Sequence, residues 1–233
     1  MSRRWRNPGR LPGLLLMLAA LAACNEAARH GTGVVPESPE PPPAPEAPAA
    51  DSAAPREGEL LLAAPPPGWV ETGALQTPAL RMAEYGPAQQ TEGQLERVTF
   101  EAQGGQPLPD PIEFVLAVSR DLEARCKGFE DVNISSGHEN GYPTSVRLMI
   151  CPEFDDSPHG QVVMAKAIQG NEQFYVITRR LQVPPMEGQG QPLTAQAMAE
   201  WTTHIRAVQV CDTRSNEHPC PQSVTGFELH QDD

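Results

Sequence analysis

The chain has 233 residues, with 17 Lys and Arg against 30 Asp and Glu and a net charge of −13. A surface of that sign repels nucleic-acid phosphates and anionic lipid headgroups, so no nucleic-acid partner is expected. Four of the basic side chains fall in residues 1–23, which hold no acid; without them the balance is 13 against 30, a net of −17.

The first 23 residues have three parts. Arg3, Arg4, Arg6 and Arg10 are positive, Leu11 to Leu21 is an apolar run, and Ala22 and Ala23 lead to Cys24. This is the order of a secretory export signal. The run falls short of the roughly 20 residues that span a bilayer. The tetrapeptide Leu21-Ala22-Ala23-Cys24 resembles the lipobox of bacterial lipoproteins. The resemblance implies that the Cys24 thiol takes a diacylglyceryl group, that a peptidase cuts before it, and that the new amino group is acylated. Cys24 is then a lipidation site. Each buried methylene of an acyl chain adds about 0.8 kcal/mol, so several chains together anchor stably. The plain alternative is an ordinary small-residue cleavage site followed by an unrelated cysteine; Leu21 and the placement of Cys24 favour the lipobox. Asn25 stands where an Asp usually retains such proteins in the inner membrane. For a source with two membranes, the resemblance therefore implies the outer membrane, facing the periplasm.

Residues 24–66 read as the lipidated N-terminus and a disordered linker. Pro36-Glu37-Ser38-Pro39-Glu40-Pro41-Pro42-Pro43-Ala44-Pro45-Glu46 has no apolar period with which to bury a core. Its prolines favour an extended chain, and forty such residues reach on the order of 100 Å. The linker is then a spacer between membrane and domain. Residues 67–221 are expected to be one domain, and 222–233 a polar, frayed tail.

Within the domain, Pro67-Gly68-Trp69-Val70 is a turn that delivers a large aromatic anchor. Leu80 to Tyr85 and Leu95 to Ala102 read as strands, the second with Val98, Phe100 and Ala102 on one face. Asp110 is an N-cap and Pro111 suits the first helical position. Ile112, Val115, Leu116, Ser119, Leu122 and Cys126 then fall on one helical face, and Gly128 marks the stop. Strands follow at Val132–Ser135, Ser145–Cys151, Val162–Ile168 and Gln173–Leu181, the last two joined by the turn Gln169-Gly170-Asn171-Glu172. Thr194 caps a second helix with Met198, Trp201, Ile205 and Val208 buried.

The order β-β-α-β-β-β-β-α predicts an α+β fold, an antiparallel sheet with two helices packed on it. With Pro67-Gly68-Trp69 before the first hairpin and Trp201 in the terminal helix, it resembles the PsbP-like fold, which includes DcrB-type envelope lipoproteins. The resemblance lies in element order over most of the domain. It implies an accessory or binding role rather than an enzyme.

Apart from Cys24 there are four cysteines, Cys126, Cys151, Cys211 and Cys220, and an even number in an exported domain predicts disulfides. Three connectivities exist; Cys126 with Cys151 and Cys211 with Cys220 is the favoured one. Cys211, His218, Cys220 and the earlier His204 are also ligand types that zinc accepts, but without a C-x-x-C pair the bridge is the stronger reading and no metal is expected.

Three further clusters contain chemically capable groups. Glu153-Phe154-Asp155-Asp156-Ser157-Pro158-His159-Gly160 pairs carboxylates with a histidine, but its spacing does not match a calcium loop and its residues are turn formers. Ser135-Ser136-Gly137-His138-Glu139-Asn140-Gly141-Tyr142 holds hydroxyl, imidazole and carboxylate, yet shows no nucleophile elbow and reads as a plain loop. Trp69 and Trp201 suit either a ligand pocket or the core, and the core is the commoner fate. There is no phosphate-binding loop or dinucleotide fingerprint, and no cofactor is expected. The resulting expectation is a membrane-tethered, non-catalytic envelope protein with an envelope partner. The alternatives are a small-molecule binding module, and a hydrolase using His138 or His159.

Overall fold

The computed structural model describes residues 57–90, 94–186 and 193–221. Cys24, the export signal, most of the linker and the tail lie outside them. The described elements are β1 (Glu59–Leu62), β2 (Trp69–Gln76), β3 (Leu80–Pro87), β4 (Leu95–Gln103), α1 (Pro111–Glu123), β5 (Cys126–Lys127), β6 (Glu130–Glu139), β7 (Tyr142–Cys151), β8 (Glu153–Phe154), β9 (Gly160–Gln169), β10 (Phe174–Val183), α2 (Ala195–Ala207) and β11 (Gln209–Asp212). The fold is α+β. Seven antiparallel strands form one sheet in the order β2-β3-β4-β10-β9-β7-β6.

Strand alternation separates the two faces of this sheet. On β9, Val162, Met164 and Ile168 join the core that holds Trp201 and Ile205 of α2. Val163 and Ala165 instead meet Leu122 of α1, and Ala167 meets Val115. The helices therefore cover opposite faces, giving three layers. Asp110 caps α1 by accepting from the amides of Ile112 and Glu113 at 2.8 and 3.0 Å. Thr194 caps α2 by accepting from the Ala197 amide at 3.1 Å. Ser119 and Arg147 both donate to Asp131, which fastens α1 to β6 and β7.

Several expectations are corrected. The domain does not begin at residue 67. Glu59–Leu62, expected as linker, is a strand paired with β11, with Glu59 opposite Asp212 and Leu60 opposite Cys211. Leu61 and Ala63 are buried with the α2-side core. The Glu59 carboxylate, 8% exposed, accepts from the amides of Asn171 and Gln173 in the β9–β10 turn at 2.6 and 3.3 Å. The element order is longer than expected: β1, β2, β5, β8 and β11 are additional. Helix α1 stops at Glu123 rather than at Gly128, because Cys126 pairs with Phe154 and bonds to Cys151. Ile112 is 42% exposed, and Phe114 and Val118 take up packing instead. Ser135–Glu139 is not a plain loop but the end of β6. Glu139 faces Tyr142 across the two-residue turn Asn140-Gly141, whose φ values of 49° and 83° are the pair a tight hairpin demands.

Both favoured disulfides are present. Cys126 and Cys151 are bonded with Cα atoms 5.5 Å apart, and Cys211 and Cys220 with Cα atoms 4.9 Å apart. The second closes the loop after β11 and seats its His218 on Tyr142, with ring centroids 4.1 Å apart and stacked. His218 Nδ1 donates to the Asn140 carbonyl at 2.8 Å. Among the described residues, no helix is long and apolar enough to cross a membrane.

Candidate binding groove

Pro66-Pro67-Gly68-Trp69 is a tight turn. Pro67 sets its first central position, Gly68 sits at φ +79°, and the Trp69 amide donates to the Pro66 carbonyl at 3.1 Å. The turn starts β2 and holds two prolines over α2. Between them lies an open groove of about 490 Å³. One wall is Pro66 and Pro67; the other is the outer face of α2, with Gln196, Ala199, Glu200 and Thr203. Arg179 and His204 complete the lining. The volume falls within the roughly 300–1,000 Å³ of small-molecule sites.

Arg179 organises this region. It is 7% exposed and its guanidinium lies between two indoles, 5.2 Å from the Trp69 ring centroid and 4.9 Å from that of Trp201. Nε donates to Glu96 Oε1 at 2.9 Å, and Nη2 lies 2.8 Å from the same oxygen. No contact with a described residue engages Nη1. Burial works against the Arg179 charge; the Glu96 carboxylate opposes that, and the two ring faces add cation–π attraction. The groove lining thus includes a buried guanidinium whose charge is already balanced.

His204 is fixed beside it. Its Nε2 donates to the Ala64 carbonyl at 2.8 Å, while Nδ1 is buried with no partner among the described residues. Burial, chiefly, holds its pKa below the ordinary histidine value, and nearby Arg179 adds to the effect. The ring is therefore neutral at pH 7, and it ties the segment before β2 to α2. At the groove mouth, Gln196 donates to Glu200 at 2.9 Å.

The two tryptophans singled out in the sequence meet here. Trp201 is core, 1% exposed, and Trp69 is half-buried. Neither lines the groove; each turns one ring face to Arg179. His138 is exposed on β6, and His159 is half-buried beside β8, its Nδ1 without a partner among the described residues. Among the described residues, no hydrogen bond joins either histidine to a hydroxyl or a carboxylate. The acidic loop is a closed turn: the Phe154 amide donates to His159 O and the Asp155 amide to Arg125 O, each at 2.9 Å. Cys211 and Cys220 are bonded to each other, and His204 and His218 hold backbone carbonyls, so the four zinc-type residues are otherwise engaged.

Arg179 and Glu96 were not anticipated. Arg179 shares a face with Tyr175, Ile177 and Leu181, but Arg180 shares the other with Phe174, Val176 and Thr178, also buried, so parity alone does not single out Arg179. No protein-family model matches the chain, and no curated protein matches it.

Proposed function

We propose that the chain is a lipid-anchored envelope protein whose domain binds another envelope component through the groove above Arg179, without catalysing a reaction. The single observation carrying this is the groove lined by two prolines, the exposed face of α2 and the buried, charge-balanced Arg179. Leu21-Ala22-Ala23-Cys24 supports the anchor, and the two bridged cysteine pairs agree with an oxidising compartment.

The test is in-cell photocrosslinking from Gln196 and Thr203, both exposed at the groove, followed by mass spectrometry. Glu113, exposed on α1 across the sheet, is the control. The reading expects one specific envelope component from both groove positions and not from Glu113. Recovery of no specific partner, or the same adducts from all three, overturns it. The groove volume also favours a second reading, a small-molecule binding module; native mass spectrometry of the purified protein would then show a retained low-mass ligand.

A further inference from the structure

The two edges of the main sheet differ. Strand β6 carries Glu130, Asp131 and Glu139; Asp131 is paired with Arg147 and Glu139 with Lys166, which leaves Glu130 as the charge that discourages strand addition. Strand β2, Trp69-Val70-Glu71-Thr72-Gly73-Ala74-Leu75-Gln76, has no Lys or Pro and a single charge, Glu71, which accepts from the Tyr85 hydroxyl at 3.2 Å. It is mostly exposed on both faces, with Val70 at 48% and Leu75 at 45%.

A bulge between Glu71 and Gly73 re-aims the strand. Val70 lies opposite Gly86, Gly73 opposite Glu84 and Leu75 opposite Met82. These β3 partners are two residues apart, so Val70, Gly73 and Leu75 share one face; five regular residues would have put Val70 and Leu75 on opposite faces.

We propose that β2 pairs antiparallel with β2 of a second copy, joining two sheets about a two-fold axis at Gly73. In that register Gly73 meets its own copy, Val70 faces Leu75 of the partner subunit, and Glu71 faces Ala74 of the partner subunit. Both exposed apolar side chains gain an apolar neighbour, the two Glu71 carboxylates avoid each other, and the residue on the axis has no side chain to clash. The strand is complementary to itself. An axis normal to the sheet also leaves both β1 strands on the same side, as two chains entering from one surface require. That last requirement rests on the proposed anchor; the strand complementarity depends on neither the lipid nor the groove.

The test uses the full chain carrying Cys24→Ser, with Gly73→Cys added. Nothing lies within 4 Å of a Cβ built at Gly73, so the substitution fits. Paired Cα atoms across antiparallel strands are about 4.5–5.5 Å apart, within reach of a disulfide. Gln76→Cys is the control, because its two copies would sit about 20 Å apart. After mild oxidation, Gly73→Cys runs as a dimer on a non-reducing gel and Gln76→Cys as a monomer. Adding Val70→Lys to Gly73→Cys lowers the dimer about tenfold, through loss of both Val70–Leu75 pairs. A monomeric Gly73→Cys, equal dimer from Gln76→Cys, or indifference to Val70→Lys overturns the proposal.

Discussion

The Lys166 ammonium, with no exposure to solvent, donates to the Glu139 carboxylate. It also donates to the carbonyls of Ile205 and Val208, at 3.2 and 2.7 Å. One side chain thus joins the end of β6, the middle of β9 and the C-terminal end of α2, where backbone carbonyls favour a cation. Burial pulls the Lys166 pKa down and Glu139 opposes it. Glu139→Ala leaves a buried charge without its counter-ion and should cost about 3 kcal/mol, whereas Lys166→Met removes the charge and should cost less. Urea unfolding of the two variants checks the order.

His204 makes stability depend on pH. Its folded pKa lies below the unfolded value of 6.5, so between the two the unfolded chain binds more protons. The contribution is present above pH 6.5 and is lost as pH falls from there towards the folded pKa. The urea midpoint should drop between pH 7 and pH 5, and should drop less in His204→Gln. Equal drops would remove His204 from the explanation.

The disulfides close loops of different length, with sequence separations of 25 and 9. Loop-closure entropy then assigns about 3.5 kcal/mol to Cys126–Cys151 and about 2.6 kcal/mol to Cys211–Cys220. Paired Cys→Ser variants measured by urea unfolding should keep that order. Mass spectrometry of the unreduced protein should find no free thiol at these four positions.

Glu59 anchors the start of the domain. Glu59→Ala removes charge-assisted bonds to the amides of Asn171 and Gln173 and should cost about 2 kcal/mol. A chain begun at residue 67 should be less stable than one begun at 57, because it also loses β1. Equal unfolding midpoints would mean that the β1–β11 ribbon contributes nothing.

How much was legible follows the kind of signal each residue sends. Asp110, Pro111 and Thr194 announced both helices, since capping is local chemistry. Val162–Ile168 and Gln173–Leu181 were legible from the turn Gln169-Gly170-Asn171-Glu172 between them, a local signal too. The cysteine pairing was favoured because it joins the end of the first helix to the end of a strand and closes the apolar-poor loop after the second helix. What escaped depends on distant partners. Glu59–Leu62 is four residues beside a proline-rich stretch, and only β11, some 150 residues later in the chain, makes it a strand. Arg179 and Lys166 were masked by their charge. Each sits on the α2-side face of its strand, yet what makes that burial tolerable — Glu96 and two indoles for one, Glu139 and two carbonyls at the end of α2 for the other — comes from other elements. Val70 and Leu75 share a face only because of a bulge, which alternation alone does not reveal.

The lipid anchor is the claim that places the domain in the envelope, and metabolic labelling with palmitate tests it most directly. The wild-type chain should take up label and fractionate with membranes, while Cys24→Ala should take up none and be released or mislocalised. Persistent labelling of Cys24→Ala, or an unlabelled wild type, would contradict it.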